Sequence, residues 1–124
     1  APRSIDPQEV QLLVSRLHKF KGQEYQVTTF WDLKEPLEFS NQLHEALHKS
    51  GWKFVKHGEG GSFLLGGLSG VQVWLHPNAA PHVKNAAHAL VSTLNEIAKA
   101  PELKMQDAAT PNDSIIRLNV GTKH

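Results

Sequence analysis

Apolar residues recur every three or four positions in three stretches of the chain, which is the spacing of an amphipathic helix. The first stretch, 7–21, follows Asp6, a residue that caps helices, and Pro7, which suits a first helical turn. The second follows Pro36 and ends at Gly51, and the third covers 80–100. We therefore predict three helices with these stripes, which are apolar except for Ser50: Val10, Leu13, Val14, Leu17 and Phe20; Phe39, Leu43, Ala46, Leu47 and Ser50; Val83, Ala86, Ala87, Leu90, Val91, Leu94, Ile97 and Ala98.

Alternation of apolar and polar residues predicts strands between these helices, over 24–31, 52–57, 71–76 and 115–120. In the last of them, Arg117 and Asn119 are set against the apolar residues Ile116, Leu118 and Val120. A short hairpin strand could also form over 63–65. The stretch 101–113 is polar and interrupted by prolines, which favours a loop.

The order of elements predicts a single α/β domain over 1–124. An N-terminal helix (7–21) precedes strand–helix–strand (23–57), a glycine-rich loop (58–70) and a second strand–helix–strand (71–121). We expect three helices and a mostly parallel or mixed sheet of four to five strands, in the two-crossover arrangement of half a Rossmann or flavodoxin-like fold. A buried parallel sheet would need apolar strands throughout, whereas these strands have one mixed face. One face of the sheet should therefore be thinly covered, and the first helix, the loop or a partner chain could fill it.

Composition and charge narrow the classes of function. Of the 124 residues, 40% are hydrophobic and 20% charged, and the formal net charge is +1. This is ordinary for a globular domain and offers no broad attraction to nucleic acid or to an anionic membrane. The chain has no Cys, which excludes disulfides, thiolate zinc sites and cysteine nucleophiles but leaves the localisation unknown.

The second predicted helix contains a zinc-peptidase pattern, H-E-x-x-H, formed by His44, Glu45 and His48. Two histidines one turn apart can bind zinc, and the glutamate between them can act as a general base. Helical spacing places His44 and His48 away from the apolar stripe, on the outward side of the helix. The position where a third histidine ligand would be expected holds Phe54. We therefore expect no cofactor and no catalytic role, and keep a zinc hydrolase with catalytic Glu45 as the alternative.

The segment 58–70 reads GEGGSFLLGGLSG and holds six of the nine glycines. A phosphate-binding loop would lead into a helix, but this one leads into a strand and carries no Gly-Lys-Ser/Thr. A flexible hairpin or an interface is the better interpretation. Exposed apolar residues there would favour self-association, so the candidate interface residues are Phe63, Leu64, Leu65 and Leu68, together with Trp74.

A third possibility is a small-ligand site at the ends of the strands. In parallel sheets, ligands bind beyond the carboxyl ends of the strands. Asp32, His76 and Asn78 lie at the carboxyl ends of predicted strands and could coordinate a metal or accept a proton. They are the candidate ligand-binding residues, although each is also common in loops.

Several short stretches along the chain together carry a resemblance to a known family. The resemblance covers nearly the whole chain and is carried by these residues: Arg3, Ile5 and Glu9; Leu17 with Phe20-Lys21-Gly22-Gln23; Phe39, Leu43 and Leu47; Ser50-Gly51-Trp52; 66–73; and Val120-Gly121-Thr122-Lys123. The chain is similar to the C-terminal soluble domain of membrane-anchored bacterial proteins of unknown function, in which a transmembrane segment and a charged coiled coil precede the domain. The resemblance implies a bacterial, membrane-tethered and oligomeric context, and it supplies no activity, cofactor or site residue.

Together, these patterns predict a non-enzymatic interaction or sensing module that associates with itself. The expected partner is a second copy of the chain, with no nucleic acid and with a membrane contact only through an upstream segment.

Overall fold

The structure, a computed structural model, describes residues 2–56, 68–105 and 112–123. In this part of the chain, three helices and five strands form an α/β fold, which confirms the predicted class. A short 3-10 turn, His18–Phe20, follows the first helix. The elements are α1 (Pro7–Leu17), β1 (Glu24–Thr29), α2 (Lys34–Lys49), β2 (Lys53–Phe54), β3 (Val71–Leu75), α3 (Pro81–Glu96), β4 (Glu102–Met105) and β5 (Ile115–Val120).

The strands form one mixed sheet in the order β2-β1-β5-β3-β4. β1 pairs in parallel with both β2 and β5, and β3 pairs in parallel with β4. The central β5 pairs with β3 in the antiparallel direction. The last strand therefore returns to the middle of the sheet and joins two strand–helix–strand units of opposite direction.

All three helices of the described chain pack on the same side of the sheet. α2 lies against β1 and β5, α3 lies against β3, β4 and β5, and α1 contacts both α2 and α3. The two crossover units run in opposite directions and step toward opposite edges of the sheet. Because crossovers are right-handed, two units related in this way place their helices on the same face.

Leucine, valine and aromatic side chains fill the layer between the helices and the sheet. Each helix contributes side chains that are at most 1% exposed, such as Leu17 on α1, Phe39 on α2 and Leu90 on α3. The strands contribute alternate residues to this core: Tyr25 and Val27; Val71, Val73 and Leu75; Ile116, Leu118 and Val120. Most residues of the predicted stripes therefore face the core, whereas Ala98 is exposed and Val14, half-buried, is not part of the core.

Two predictions about the second half of the chain are wrong. The stretch 101–113, expected to be a loop, contains strand β4. The second crossover unit consequently ends at β4, and the strand at 115–120 is a separate return strand. The four residues do alternate, as Glu-Leu-Lys-Met, but so short a run between a proline and a polar stretch is hard to tell from a loop.

Candidate binding face

The side of the sheet opposite the helices, which we call the helix-free face, carries the alternate residues of each strand. These residues are mainly polar, in contrast to the apolar core side. They include Gln26 and Thr28 on β1, Arg117 and Asn119 on β5, Gln72 and Trp74 on β3, and Glu102 and Lys104 on β4.

Strand register arranges these residues in two rows across the sheet. Gln26 lies beside Arg117, which lies beside Trp74 and then Lys104. In the second row, Thr28 is followed by Asn119, Gln72 and Glu102. Side chains in such cross-strand positions are close enough to interact directly.

Arg117 brings a positive charge to the middle of this face, where it is only 5% exposed. Its Nε and Nη2 both donate to Oε1 of Gln26, at 3.2 and 2.8 Å. The amide of Gln26 in turn donates from Nε2 to the backbone oxygen of Lys56, at 3.3 Å. Burial lowers the pKa of Arg117, although a guanidinium remains charged in proteins. Burying a charge costs free energy, and the hydrogen bonds that the charged group makes offset part of that cost.

Asn119 lies next to Arg117 in the centre of the sheet and is fully buried. Within the described part of the chain, neither its Oδ1 nor its Nδ2 has a hydrogen-bond partner. An unsatisfied buried polar group costs about 1–3 kcal/mol. The middle of the helix-free face therefore carries a local cost to stability that an apolar side chain would avoid.

Exposure divides the helix-free face into two halves. Over β1 and β5, the polar side chains are buried. Over β3 and β4, Gln72, Trp74 and Lys104 are half-buried and Glu102 is exposed, so we call these four residues the accessible half. Trp74 is held in place because its Nε1 donates to Oε1 of Gln72 at 2.7 Å. Lys104 and Glu102 form an ion pair at 3.4 Å.

The two histidines of the H-E-x-x-H pattern have different surroundings. His48 is exposed, as expected, but His44 is partly buried. Its Nδ1 lies 2.9 Å from the hydroxyl of Tyr25, and its ring packs edge-on against Phe54 with ring centroids 4.8 Å apart. The prediction that His44 points outward is wrong because β2 extends the sheet beneath the flank of α2 and buries that flank as well.

The contact between Tyr25 and His44 is suited to packing rather than to proton transfer. Burial raises the pKa of Tyr25 to about 12, so its hydroxyl remains protonated. The pKa of His44 is lowered, mainly by burial and then by the nearby charge of His48, which favours the neutral ring. A neutral ring and a protonated hydroxyl share one hydrogen bond at Nδ1, in which either group can donate, and the hydroxyl also lies 3.3 Å from the backbone oxygen of His44.

The general base that the peptidase pattern requires is also engaged. Glu45 is exposed and forms an ion pair with Lys49 one turn later, at 3.3 Å. Among the described residues, no group of three or more His, Cys, Asp or Glu side chains is placed to hold a metal ion. The pair His44 and His48 therefore has no third ligand in residues 2–56, 68–105 or 112–123.

The candidate ligand site at the strand ends is not assembled. Asp32 follows β1, whereas His76 and Asn78 follow β3, and these two strands run in opposite directions on either side of β5. The carboxyl end of β1 lies at one end of the sheet, and the carboxyl end of β3 lies at the other. Asp32 and His76 are therefore far apart, and the prediction of a site that they share is wrong. His76 and Asn78 do lie together, and the backbone amide of Asn78 donates to Nδ1 of His76 at 3.0 Å.

Most of the glycine-rich segment, including Phe63, Leu64 and Leu65, lies outside the described residues. Leu68 is described and is half-buried. Its backbone oxygen accepts from the amide of Thr122 at 3.2 Å, and it lies so close to Gly121 that a Cβ there would come within 2.4 Å of this oxygen. Gly121 is therefore needed for the close approach of the two backbones.

Two concave surfaces lie elsewhere among the described residues. A groove of about 600 Å³ between α1 and α2 has an apolar floor that includes Val10 and Val14. A second one of about 450 Å³ lies at the beginning of β1 and α3 and includes Lys19, Lys21 and His82 in its lining. Neither contains the candidate ligand-binding residues from the sequence, and Glu45 is the single member of the H-E-x-x-H pattern in the first.

The candidate site residues from the sequence do not include the side chains at the centre of the helix-free face, which are Gln26, Arg117 and Asn119. The alternation of β5 does place Arg117 and Asn119 on one face, and that signal was visible. What the sequence does not contain is the neighbour of each strand, so the rows could not be read from it.

Comparison with known proteins adds no further identification. No family model, no curated protein and no solved structure matches the chain. None of the helices in the described ranges has the length and the apolar content that crossing a bilayer would require.

Proposed function

We propose that this chain is a non-enzymatic interaction module that associates with itself through the accessible half of the helix-free face. Its wider setting, in this proposal, is a bacterial membrane-associated protein, which rests on the family resemblance of the sequence. The fold supports a role in binding because three helices stabilise one side of the sheet and leave the other side to carry polar and aromatic residues.

The proposal rests on the position and the order of the Trp74 side chain. It is half-buried in the middle of the accessible half, and its hydrogen bond to Gln72 fixes the indole ring. A tryptophan that is already ordered loses little side-chain freedom when a partner covers it. Tryptophan surrounded by polar residues is also typical of the energetic centre of protein interfaces.

The charges beside Trp74 suit a contact between identical surfaces. Glu102 and Lys104 carry opposite charges two positions apart on the same strand. A surface with both signs can face a copy of itself without net repulsion. A zinc hydrolase is the less favoured function because Glu45 is paired with Lys49 and His44 is engaged by Tyr25.

The proposal predicts self-association that depends on Trp74. Light scattering should show the mean mass rising as the protein is concentrated from micromolar to millimolar. Trp74→Ala should weaken this association by about 2 kcal/mol or more, which is roughly 30-fold in Kd. Circular dichroism of the variant tests that the fold is retained.

Trp31→Ala is the matched control, because Trp31 is 64% exposed and follows β1, outside the accessible half. This variant should associate as the unchanged protein does. A strictly monomeric protein at millimolar concentration would refute the proposal. Equal weakening by both substitutions would show that the accessible half is not the contact surface.

A further inference from the structure

The sheet has two edge strands of different character. At one edge, β2 comprises only Lys53 and Phe54. At the other, β4 comprises four residues, and its outer side pairs with no other strand of the described chain. An unpaired edge strand offers a row of backbone donors and acceptors to another strand.

We infer that two copies of this chain join through β4 of each, in antiparallel pairing, to form one continuous sheet. This inference rests on the proposed function and adds a second contact to it. Glu102 and Lys104 of the accessible half meet the second copy across the edge, while Trp74 stays on the face of the sheet, where the contact proposed above covers it. A second copy fits this edge because the charges of β4 are complementary to themselves and because Met105 is an exposed apolar side chain there.

Symmetry restricts how two β4 strands can pair. A two-fold axis perpendicular to the sheet makes the strands antiparallel and keeps the helices of both copies on the same side. Residues that face each other across the pair must then project from the same face. Glu102 and Lys104, which project from the helix-free face, can therefore pair with Glu102 or Lys104 of the second copy, but not with Leu103.

Charge selects one register among those that remain. If Leu103 lies opposite Leu103 of the other copy, Glu102 lies opposite Lys104 on both sides of the axis. A shift of two residues in either direction places Glu102 opposite Glu102, or Lys104 opposite Lys104. Like charges directly opposite each other destabilise a strand pair, whereas opposite charges stabilise it.

The other side of β4 supports the same contact. Leu103 packs against the core, so Met105, two residues later, projects from the helix side of the sheet. Met105 is 51% exposed at this edge. A second copy at β4 would cover the side chain, and its flexible thioether fits an irregular contact well.

Cysteine pairing tests the contact and its register, because the chain has no cysteine of its own. Glu102→Cys and Lys104→Cys are prepared separately, mixed and oxidised mildly. A disulfide should join the two different variants, since the Cα atoms of facing residues in a strand pair lie about 4.5–5.5 Å apart, within the range that a disulfide bridges. Each variant oxidised alone should give at least tenfold less covalent dimer.

Lys53→Cys on the opposite edge is the control, because Lys53 is also exposed on a terminal strand. It sets the level of dimer that arises from random collision. Mixed disulfide above this level, formed from Glu102→Cys and Lys104→Cys, supports the inference. All three exchanged residues are exposed or half-buried, so each variant should fold, and circular dichroism tests this.

The remaining outcomes separate this inference from the proposed function. If light scattering shows self-association but the mixed disulfide stays at the level of the Lys53→Cys control, pairing through β4 is refuted and the proposed function stands. If disulfides form mainly within each variant, the register is refuted. If the unchanged protein is monomeric at millimolar concentration, both proposals are refuted.

Discussion

Arg117 and Asn119 lie two positions apart on the same face of β5, and their buried polar groups differ in hydrogen bonding. Arg117 donates two hydrogen bonds to Gln26, whereas the amide of Asn119 has no partner among the described residues. Both side chains are almost fully buried, so the difference lies in hydrogen bonding and not in exposure. Asn119 is thus the polar residue whose replacement by an apolar one should improve the free energy of unfolding.

We expect Asn119→Leu to stabilise the protein by about 1–3 kcal/mol, because leucine has a similar shape and removes an unsatisfied amide. Urea unfolding monitored by circular dichroism measures this difference. Thr29→Val is the control on the neighbouring strand, where the native hydroxyl donates to the backbone oxygen of Val120 at 2.9 Å and its loss should destabilise the protein. Destabilisation by Asn119→Leu would mean that the amide has a partner after all.

Among the elements, helices were easier to predict than strands, for a physical reason. α1 begins as the sequence indicates, with Asp6 accepting from the amide of Glu9 at 2.8 Å and Pro7 in the first turn. Such caps are local, so they are written in a few consecutive residues. β2 spans two residues rather than the predicted six, and β4 was missed, because edge strands are defined by a neighbouring strand that the sequence does not specify.

α2 shows how a motif and a packing stripe can share one helix. Leu43 is 1% exposed in the core, His44 is partly buried against Tyr25, and His48 is exposed. If the helix is structural, the cost of alanine substitutions should follow burial. If the H-E-x-x-H pattern were a metal site that holds the fold together, both histidines would matter equally.

We expect Leu43→Ala to cost about 2–5 kcal/mol, because it removes core contacts and leaves a cavity. His48→Ala should change stability by no more than about 0.5 kcal/mol, as is usual for exposed positions. His44→Ala should fall between them, since it loses the contacts with Tyr25 and Phe54. Chemical unfolding of the three variants, with and without added zinc, makes the comparison, and equal costs at His44 and His48 would contradict this order.

At the scale of the whole molecule, the sequence predicted which residues share a face of a strand but not the direction in which each strand runs. Alternation shows which residues share a face of a strand, and this placed Val73, Leu118 and Arg117 correctly. It does not show which way a strand runs. The antiparallel pairing of β3 with β5 therefore separated Asp32 from His76 and brought Trp74 beside Arg117, and neither outcome could be read from the chain.

One cluster connects distant parts of the molecule at the end of β5. The guanidinium of Arg3 forms two hydrogen bonds with the carboxylate of Glu35 in the first turn of α2, at 2.7 and 3.0 Å. The same guanidinium donates to the backbone oxygen of Gly121 at 2.6 Å and lies over the ring of Phe39. It therefore connects the N-terminal segment, α2 and the last strand, which are far apart in sequence.

This cluster should make stability depend on pH in the acid range. The pKa of Glu35 is lowered, mainly by the hydrogen bond from the Arg3 side chain. The folded protein therefore binds this proton more weakly than the unfolded chain does. The stabilisation is fully present above the ordinary pKa of a glutamate and is lost as the pH falls through the lowered pKa of the folded state.

We expect Glu35→Gln to reduce stability at neutral pH by about 1 kcal/mol, because it removes a carboxylate that accepts charged hydrogen bonds. The same variant should lose less stability than the unchanged protein between neutral and acid pH, since glutamine does not titrate. Urea unfolding over that pH range measures both effects. Glu38→Gln, an exposed position on the same helix, is the control and should keep the original pH profile. If Glu35→Gln retained that profile as well, the hydrogen bonds from Arg3 would not contribute to acid sensitivity, and the connection between α2 and β5 would rest on packing against Phe39.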